Sequence, residues 1–555
     1  MNLWKTKLEY WVRACLWLSL LCHCSVVVAE SKPLAPKAEV SIELNIVAEI
    51  RKHLEKQEYP LWARDLNWVK LKGFYEKRDY LPIWLNRSQV TGRAIIVRDV
   101  LVKSYLEALD PNEYHAPAIE AMWNSKKARS KARLELLLTD ALFRYGVEVN
   151  VGYQFPQSVD YDWHVKPRQV NEIEILEAVL TAQDAQKYLN SLSPPQKAYT
   201  NLKKTLAYYR LLMLAGDWPQ IDHGPNLQVG MHHPQVSLIK ARLFREEYLT
   251  VSDDVESDYF DETLEQAVRE FQTNYGHKVD GIVGYFTRRS MSVSLLDRIA
   301  AIKHNMERWR WVPRELGGRY VMVNMAGYKL DLVEDGKSVL EMPVIVGKPY
   351  RAAPAFIDNI DYVEINPTWK VPPRIAKEKF LPKLQKDAKF LAKNRLRIYD
   401  SWGKKAKEVD PEKVDWSKYS ENWLPYKFVQ RPGKYNSMGL VKFMFPNKYR
   451  IYLHDTPQKK LFKSYVRTFS SGCIRVSQPF NLANKILEKE AFWSDKKVES
   501  FVNQGETKVI RVSQPLPVYL MYWTAWVDES GKVNFRNDVY QRNKQIATSK
   551  EVSLS

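Results

Sequence analysis

Near residue 319 the apolar residues of this chain change period, from helical spacing to strand alternation. No single layer of structure satisfies both periods, so the chain reads as a multidomain α+β protein. Between about 41 and 230 the pattern is mainly helical. Leu134, Leu137, Leu138, Ala141, Leu142 and Tyr145 recur at the i, i+3, i+4 spacing of one buried helix face, and Leu202 to Leu214 is similarly apolar. From Pro234 to Leu296 a smaller module follows. Val236, Ile239 and Leu243 begin one amphipathic helix, Leu264, Val268 and Phe271 mark another, and Asp280-Gly281 reads as a tight turn before a third. Leu296 to Trp311 reads as a connecting helix. Then Arg319–Asn324, Tyr328–Val333, Ser338–Val346 and Asp361–Ile365 alternate as strands, broken at Gly317-Gly318, Asp335-Gly336 and Pro354. A chain of 555 residues exceeds one ordinary core, and about three to four domains are expected.

The strand pattern is interrupted between Val371 and Val441. Ile375 to Leu391 is helical and Lys-rich, and Lys404 to Trp423 is polar and charged. An insertion of this kind in a strand-built domain suits a lid. Trp416, Tyr419, Trp423, Tyr426 and Phe428 give it either a surface to hold a substrate or a small core of its own.

Chemistry enters on either side of a short gap. Val441–Phe445 alternates, Pro446-Asn447-Lys448 turns, and Tyr449–His454 alternates again, which predicts a hairpin. Period two puts Ile451 and Leu453 on one face, and Arg450, Tyr452 and His454 on the other. Cys473 follows Gly472. A thiol attacks as thiolate, and His454 can be the base that takes its proton if the chain folds back. The glycine lets the backbone approach an acyl group, so the amides of Gly472 and Cys473 can form an oxyanion hole. Tyr452 faces the same side and can donate to the acyl oxygen, while Arg475 can anchor the loop or meet a substrate carboxylate. Asp455 points away from His454 on a strand, so a backbone carbonyl is the expected partner of the ring. A buried structural Cys beside an unrelated His is the plainer alternative.

The four cysteines are Cys15, Cys22, Cys24 and Cys473. The first three lie in a segment with a basic start (Lys5, Lys7, Arg13), an apolar run Ala14–Val28 and small residues at Val27-Val28-Ala29. It reads as an export signal over 1–29, or alternatively an N-terminal anchor. Its removal leaves one thiol in an oxidising compartment, which marks that thiol for reactivity. Residues 30 to 40, with Pro33 and Pro36, read as a linker, and the polar stretch after Asn537 as a frayed tail. The net charge of +19 fits nucleic acid, anionic lipid or an anionic envelope. No nucleic-acid module accompanies it, so nucleic acid is not an expected partner. His53, His115 and His164 are scattered, and His232-His233 is an adjacent pair on a loop; no metal or cofactor is expected.

His454, a gap, and then Ser470-Ser471-Gly472-Cys473-Ile474-Arg475-Val476 resemble the active-site motif of the L,D-transpeptidases, whose catalytic domain is of the YkuD type. Asn366–Pro372 (Asn-Pro-Thr-Trp-Lys-Val-Pro) and Gln430–Asn436 (Gln-Arg-Pro-Gly-Lys-Tyr-Asn) resemble the large periplasmic, YcbB-like branch. Ser471 stands where the family often has His. Phe271-Gln272 with Asp280-Gly281-Ile282-Val283-Gly284 resembles the three-helix peptidoglycan-binding repeat. The resemblance covers most of the chain after about residue 40. It implies a helical scaffold over 30–233, a peptidoglycan-binding-like module over 234–297 and a connecting helix over 298–318. A mostly-β YkuD-type catalytic domain over 319–526 follows, with an inserted helical and polar cap at about 376–437, and a tail over 527–555.

The implied activity is cysteine L,D-transpeptidation. Cys473 cleaves the bond before the terminal D-Ala of a tetrapeptide donor stem, and the acyl group passes to an amine of a second stem, giving 3-3 cross-links. The same acyl-enzyme could instead serve lipoprotein attachment or D-amino-acid exchange, and a non-catalytic wall-binding protein is the reading from another class. Donor and acceptor stem peptides are the implied partners, a monomer the expected state, the Gram-negative periplasm the expected location, and carbapenems the expected acylating inhibitors.

Overall fold

The computed structural model describes residues 36–55, 66–250 and 256–546, apart from 388, 404, 492, 495 and 545. The segment 1–29, with Cys15, Cys22 and Cys24, lies outside the described residues. The described residues pack as two compact units, one drawn from 36–95 and 117–140, the other from 96–116 and 141–546.

The first unit is helical. Its helix Pro36–Leu54 corrects the linker expected over 30–40 for residues 36–40, and 30–35 lie outside the described residues. Proline at the first turn costs no hydrogen bond, so Pro36 starts a helix rather than forbidding one. Glu135 is fully buried and accepts from the Tyr75 hydroxyl at 2.8 Å and the Trp84 amide at 3.1 Å. Burial raises its carboxyl to about 7 despite these donors.

The second unit holds the three-helix module and the strand-built domain. The module's helices are Gln235–Arg245, Glu262–Asn274 and Tyr285–Met291. Gln272 explains the Phe-Gln and Asp-Gly pairing. Its buried amide donates to Asp280 Oδ1 at 2.9 Å and accepts from the amides of Asp280 and Gly281 at 3.0 and 2.9 Å. The turn is closed by a helix side chain, with Gly281 at φ 75°.

After the helix Leu295–Arg310, nine strands form one sheet. In chain order they are β1 (Arg319–Asn324), β2 (Lys329–Glu334), β3 (Lys337–Gly347), β4 (Phe356–Ile365), β5 (Val441–Met444), β6 (Leu453–His454), β7 (Thr468–Ser470), β8 (Ile474–Val476) and β9 (Lys508–Met521). Their spatial order is β7-β3-β8-β6-β5-β4-β9-β1-β2, and β2 also pairs with β3, so the sheet closes on itself. Closure removes free edges from the ring β3-β8-β6-β5-β4-β9-β1-β2, with β7 added along β3. Alternate residues such as Val321, Val323, Val363, Phe443, Leu453 and Val518 are completely buried inside it, each contributing about 1.5–3 kcal/mol.

The insertion is more than helical and polar. It adds a four-stranded sheet of Trp369–Lys370, Lys427–Gln430, Leu396–Tyr399 and Glu408–Val409, flanked by short helical turns. Trp416 and Phe428 are buried in a core belonging to this insertion, Tyr419 and Tyr426 pack against it, and Trp423 is exposed. The C-terminal stretch is likewise not frayed where it is described. Ala525–Val527 pairs with Val533–Phe535, and Arg542 and Ile546 are buried. Polarity misled there because the charged groups are paired rather than solvated.

Candidate active site

The register of four strands builds one polar face. β4 pairs with β5 so that Glu364 stands opposite Lys442, β5 with β6 so that Lys442 stands opposite His454, and β6 runs parallel to β8 with His454 beside Arg475. The intervening residues Val363, Phe443, Leu453 and Ile474 point to the core and are fully buried. Side chains two apart share a face, so Tyr452 joins His454, and Cys473 joins Arg475. The expected hairpin is present, but its second strand is only Leu453–His454. Arg450 sits at φ 57°, which breaks the alternation. Its side chain is exposed and its carbonyl, not its guanidinium, approaches Cys473, at 3.7 Å from Sγ.

His454 is buried, and its Nδ1 lies 2.5 Å from the Asp455 carbonyl. A carbonyl only accepts, so Nδ1 carries the proton and Nε2 keeps the lone pair. Burial, and then the charge of Arg475, lower this ring to about 3. The carboxylate of Asp455 turns elsewhere, accepting from the Leu440 amide at 2.9 Å and Lys459 Nζ at 2.5 Å. Gly439, at φ 64°, makes room for it, since a Cβ there would fall 2.3 Å from that carboxylate. The Tyr452 and His454 ring centroids are 5.7 Å apart.

Cys473 is half-buried at the end of the turn from β7 to β8. Burial raises its thiol, opposed by Tyr452, Lys442 and Arg475. Gly472 holds φ 124°, a region that side-chain-bearing residues avoid. Gly347 at the end of β3 backs this turn. A Cβ on it would meet the Arg351 carbonyl at 2.0 Å and Gly472 Cα at 3.2 Å, so backbone packs directly on backbone. The expected pair of oxyanion donors is not arranged as such here. The Gly472 amide already donates to Ser470 Oγ at 3.1 Å. Among the described residues the Cys473 amide has no acceptor, and the Tyr452 hydroxyl lies within reach of the sulfur. These two are the donors the geometry leaves for a developing oxyanion.

Two residues near the site, Lys442 and Arg351, carried no motif. Lys442 Nζ lies 4.2 Å from the Tyr452 ring centroid and 3.7 Å from Glu364. The alternation Val441–Met444, continued across the hairpin, was the available signal for Lys442. Arg351 donates to Ser471 Oγ at 3.2 Å and pairs with Glu378 of the insertion, which Arg374 also holds at 2.5 Å. No local pattern announces Arg351, because its partners lie 120 and 27 residues away. Arg475 donates to Gln458 at 2.7 Å, and burial lowers it. Tyr452 packs against both the barrel core and the core of the insertion.

Among the described residues no three His, Cys, Asp or Glu side chains converge as a metal site, and no helix is long and apolar enough to cross a membrane. His164 stacks on Tyr449 at 4.7 Å, and His232 contacts Asp258 at 2.9 Å.

Three family models match the chain: an L,D-transpeptidase catalytic domain (YkuD) at 318–510, a peptidoglycan-binding domain at 232–291 and a scaffold domain at 69–206. A Haemophilus influenzae protein named as an L,D-transpeptidase is 36% identical over 242 residues, 44% of this chain and 48% of that protein. The chain thus spans about half the length of the curated relative it matches. Among solved structures, an L,D-transpeptidase fragment from Xylanimonas cellulosilytica is 16% identical, covering 54% of this chain and 99% of its own at a TM-score of 0.18. One from Mycobacterium smegmatis is 11% identical, covering 37% and 58%, also at 0.18. Neither superposition is close enough to carry an argument.

Proposed function

We propose that this chain, which carries an L,D-transpeptidase catalytic domain behind a scaffold and a peptidoglycan-binding domain, cross-links peptidoglycan stems through a thioester on Cys473. The observation that carries the reading is the face shared by Tyr452, His454 and Cys473, set by the strand register, with His454 Nδ1 held by the Asp455 carbonyl.

The donor carbonyl, between the third and fourth stem residues, enters against Cys473. His454 Nε2 takes the thiol proton as sulfur attacks, so C–S forms while the carbonyl oxygen gains charge. The Cys473 amide and the Tyr452 hydroxyl donate to that oxygen. The tetrahedral centre collapses, the C–N bond breaks, and the imidazolium returns its proton to the leaving D-Ala amine. An amine of a second stem then attacks the thioester, His454 removes its proton, and the thiol leaves as Cys473 is reprotonated. Each acyl transfer exchanges one bond for another, so the reaction runs without a nucleotide. The acceptor amine on the third residue of a neighbouring stem gives 3-3 links. The segment 1–29 would export the chain to the periplasm, where that substrate lies, and the module at 232–291 would hold it to the wall.

Cys473→Ala tests the reading on a tetrapeptide donor. Intact mass of the wild type is expected to show one acyl adduct with release of one D-Ala, and the variant neither. Muropeptide mass analysis of cells with and without the protein tests the acceptor. Near-normal turnover by Cys473→Ala would overturn the mechanism.

A further inference from the structure

Glu364, Lys442, His454 and Arg475 stand in one row across four neighbouring strands. Lys442 and Glu364 are mostly covered, with side chains 14% and 16% exposed. Holding an ammonium out of water is costly, and a carboxylate at 3.7 Å is a loose partner for it. It also sits over the π face of Tyr452, 4.2 Å away, whose hydroxyl reaches Cys473. Burial and the facing sulfur hold the phenol well above its ordinary value. A cation over the ring works against that, stabilising the oxyanion and making the hydroxyl a stronger hydrogen-bond donor than it would be without the lysine.

We infer that Lys442 is a positioning residue of the acyl transfer: its ammonium polarises Tyr452 so that the phenol donates more strongly to the Cys473 sulfur and then to the acyl oxygen. The inference rests on the acyl-transfer reading above but not on any particular stem peptide. The charged and titratable groups facing the phenol and the thiol are Glu364 from β4, Lys442 from β5, His454 from β6 and Arg475 from β8, with Lys370 of the insertion next to Lys442. Glu364 acts as counter-ion and moderates the lysine. Arg475 adds positive charge near the sulfur.

The test uses the full chain and iodoacetamide, with alkylation of Cys473 followed by peptide mass mapping from about pH 5 to 10. In Lys442→Met the midpoint of the profile is expected to rise by about one unit, with alkylation at neutral pH about tenfold slower. Lys442→Arg keeps the charge and is expected within about threefold of the wild type. In a Tyr452→Phe background, Lys442→Met is expected to move the midpoint by clearly less, the remainder being the direct charge of the lysine on the sulfur. A cross-strand pair with a merely structural role would lower thermal stability without moving the midpoint. Where Lys442→Met does not fold, Glu364→Gln takes its place and is expected to move the midpoint down. An unmoved midpoint in folded Lys442→Met or Glu364→Gln overturns the inference. So does an equal shift with and without the Tyr452 hydroxyl. Because iodoacetamide requires no stem peptide, absence of L,D-transfer would sink the proposed function and leave this result readable.

Discussion

At His454 and Cys473 burial disfavours both charged forms, so ring and thiol both rest neutral. Proton transfer must then accompany attack rather than precede it. The ring works as a base only while neutral, and it stays neutral until pH falls through its folded value of about 3. Carbapenems offer a strained carbonyl that tests this without a stem peptide. The adduct is expected on Cys473, at a rate that holds from about pH 8 to 5 and drops only below about pH 4. In His454→Ala at neutral pH the rate is expected to fall by about 10²–10⁴. Intact mass against time at each pH is the measurement. A fall centred near pH 6.5, the ordinary imidazole value, would mean that the ring is solvated when it works. The same shift bears on stability. An unfolded chain's ring takes a proton below about 6.5 and the folded one does not, so His454 makes the fold less stable as pH falls through that interval.

Elements meet at Arg351, which joins Ser471 beside Cys473 to Glu378 of the insertion. The insertion has its own core, so it can move as a body, and this pair is a tie between it and the turn that carries Cys473. A partly exposed pair is worth about 1 kcal/mol at most. Glu378→Ala is therefore expected to raise KM for stem peptides up to about fivefold, with kcat nearly unchanged. Steady-state kinetics on an intact tetrapeptide donor decides it. The double variant Arg351→Glu with Glu378→Arg is expected to recover part of the loss, whereas unchanged KM in Glu378→Ala would make the contact ornamental.

What was legible in the sequence followed from local rules at this scale. Gly472 was read as allowing close approach to an acyl group, and its positive φ in the turn is what the structure adds. Tyr452 and His454 share a face because strands alternate. Asp455 was expected to turn away from the ring for the same reason, and it does. Arg450 was misplaced because one left-handed residue ends the alternation, and nothing in Lys448-Tyr449-Arg450 signals that conformation. Lys442 was readable once the hairpin register was known. Arg351 and Gly347 were not, since their roles depend on pairings between strands distant in sequence. The four-stranded sheet in the insertion escaped notice because its strands are two to four residues long, too short for alternation to register among lysines.

At the scale of the larger unit, the polar C-terminal stretch is what closes the structure behind the site. Arg542 is buried, pairs with the buried Asp160 at 3.5 Å, donates to the Ala353 carbonyl at 3.0 Å and lies 4.8 Å from the Tyr522 ring centroid. Asn543 accepts from Arg308 at 2.6 Å and donates to Thr524 at 2.9 Å. Tyr540 donates to the Gly347 carbonyl at 2.7 Å, and Gly347 is the residue on which the Gly472 turn rests. Two consequences separate stability from activity. Removing one partner of a buried pair strands the other, so Arg542→Met is expected to cost about 3–5 kcal/mol, read as a lower denaturant midpoint. Burial already raises the Asp160 carboxyl, so without Arg542 it is expected to take up a proton, and the loss should shrink at acid pH. Tyr540→Phe removes one hydrogen bond from a carbonyl next to the nucleophile turn, at about 1 kcal/mol of stability. Its expected effect is a several-fold slower carbapenem acylation of Cys473 in a folded protein, because the Gly347 backbone that sets Gly472 is no longer held. Acylation at the wild-type rate in Tyr540→Phe would confine the C-terminal stretch to stability alone.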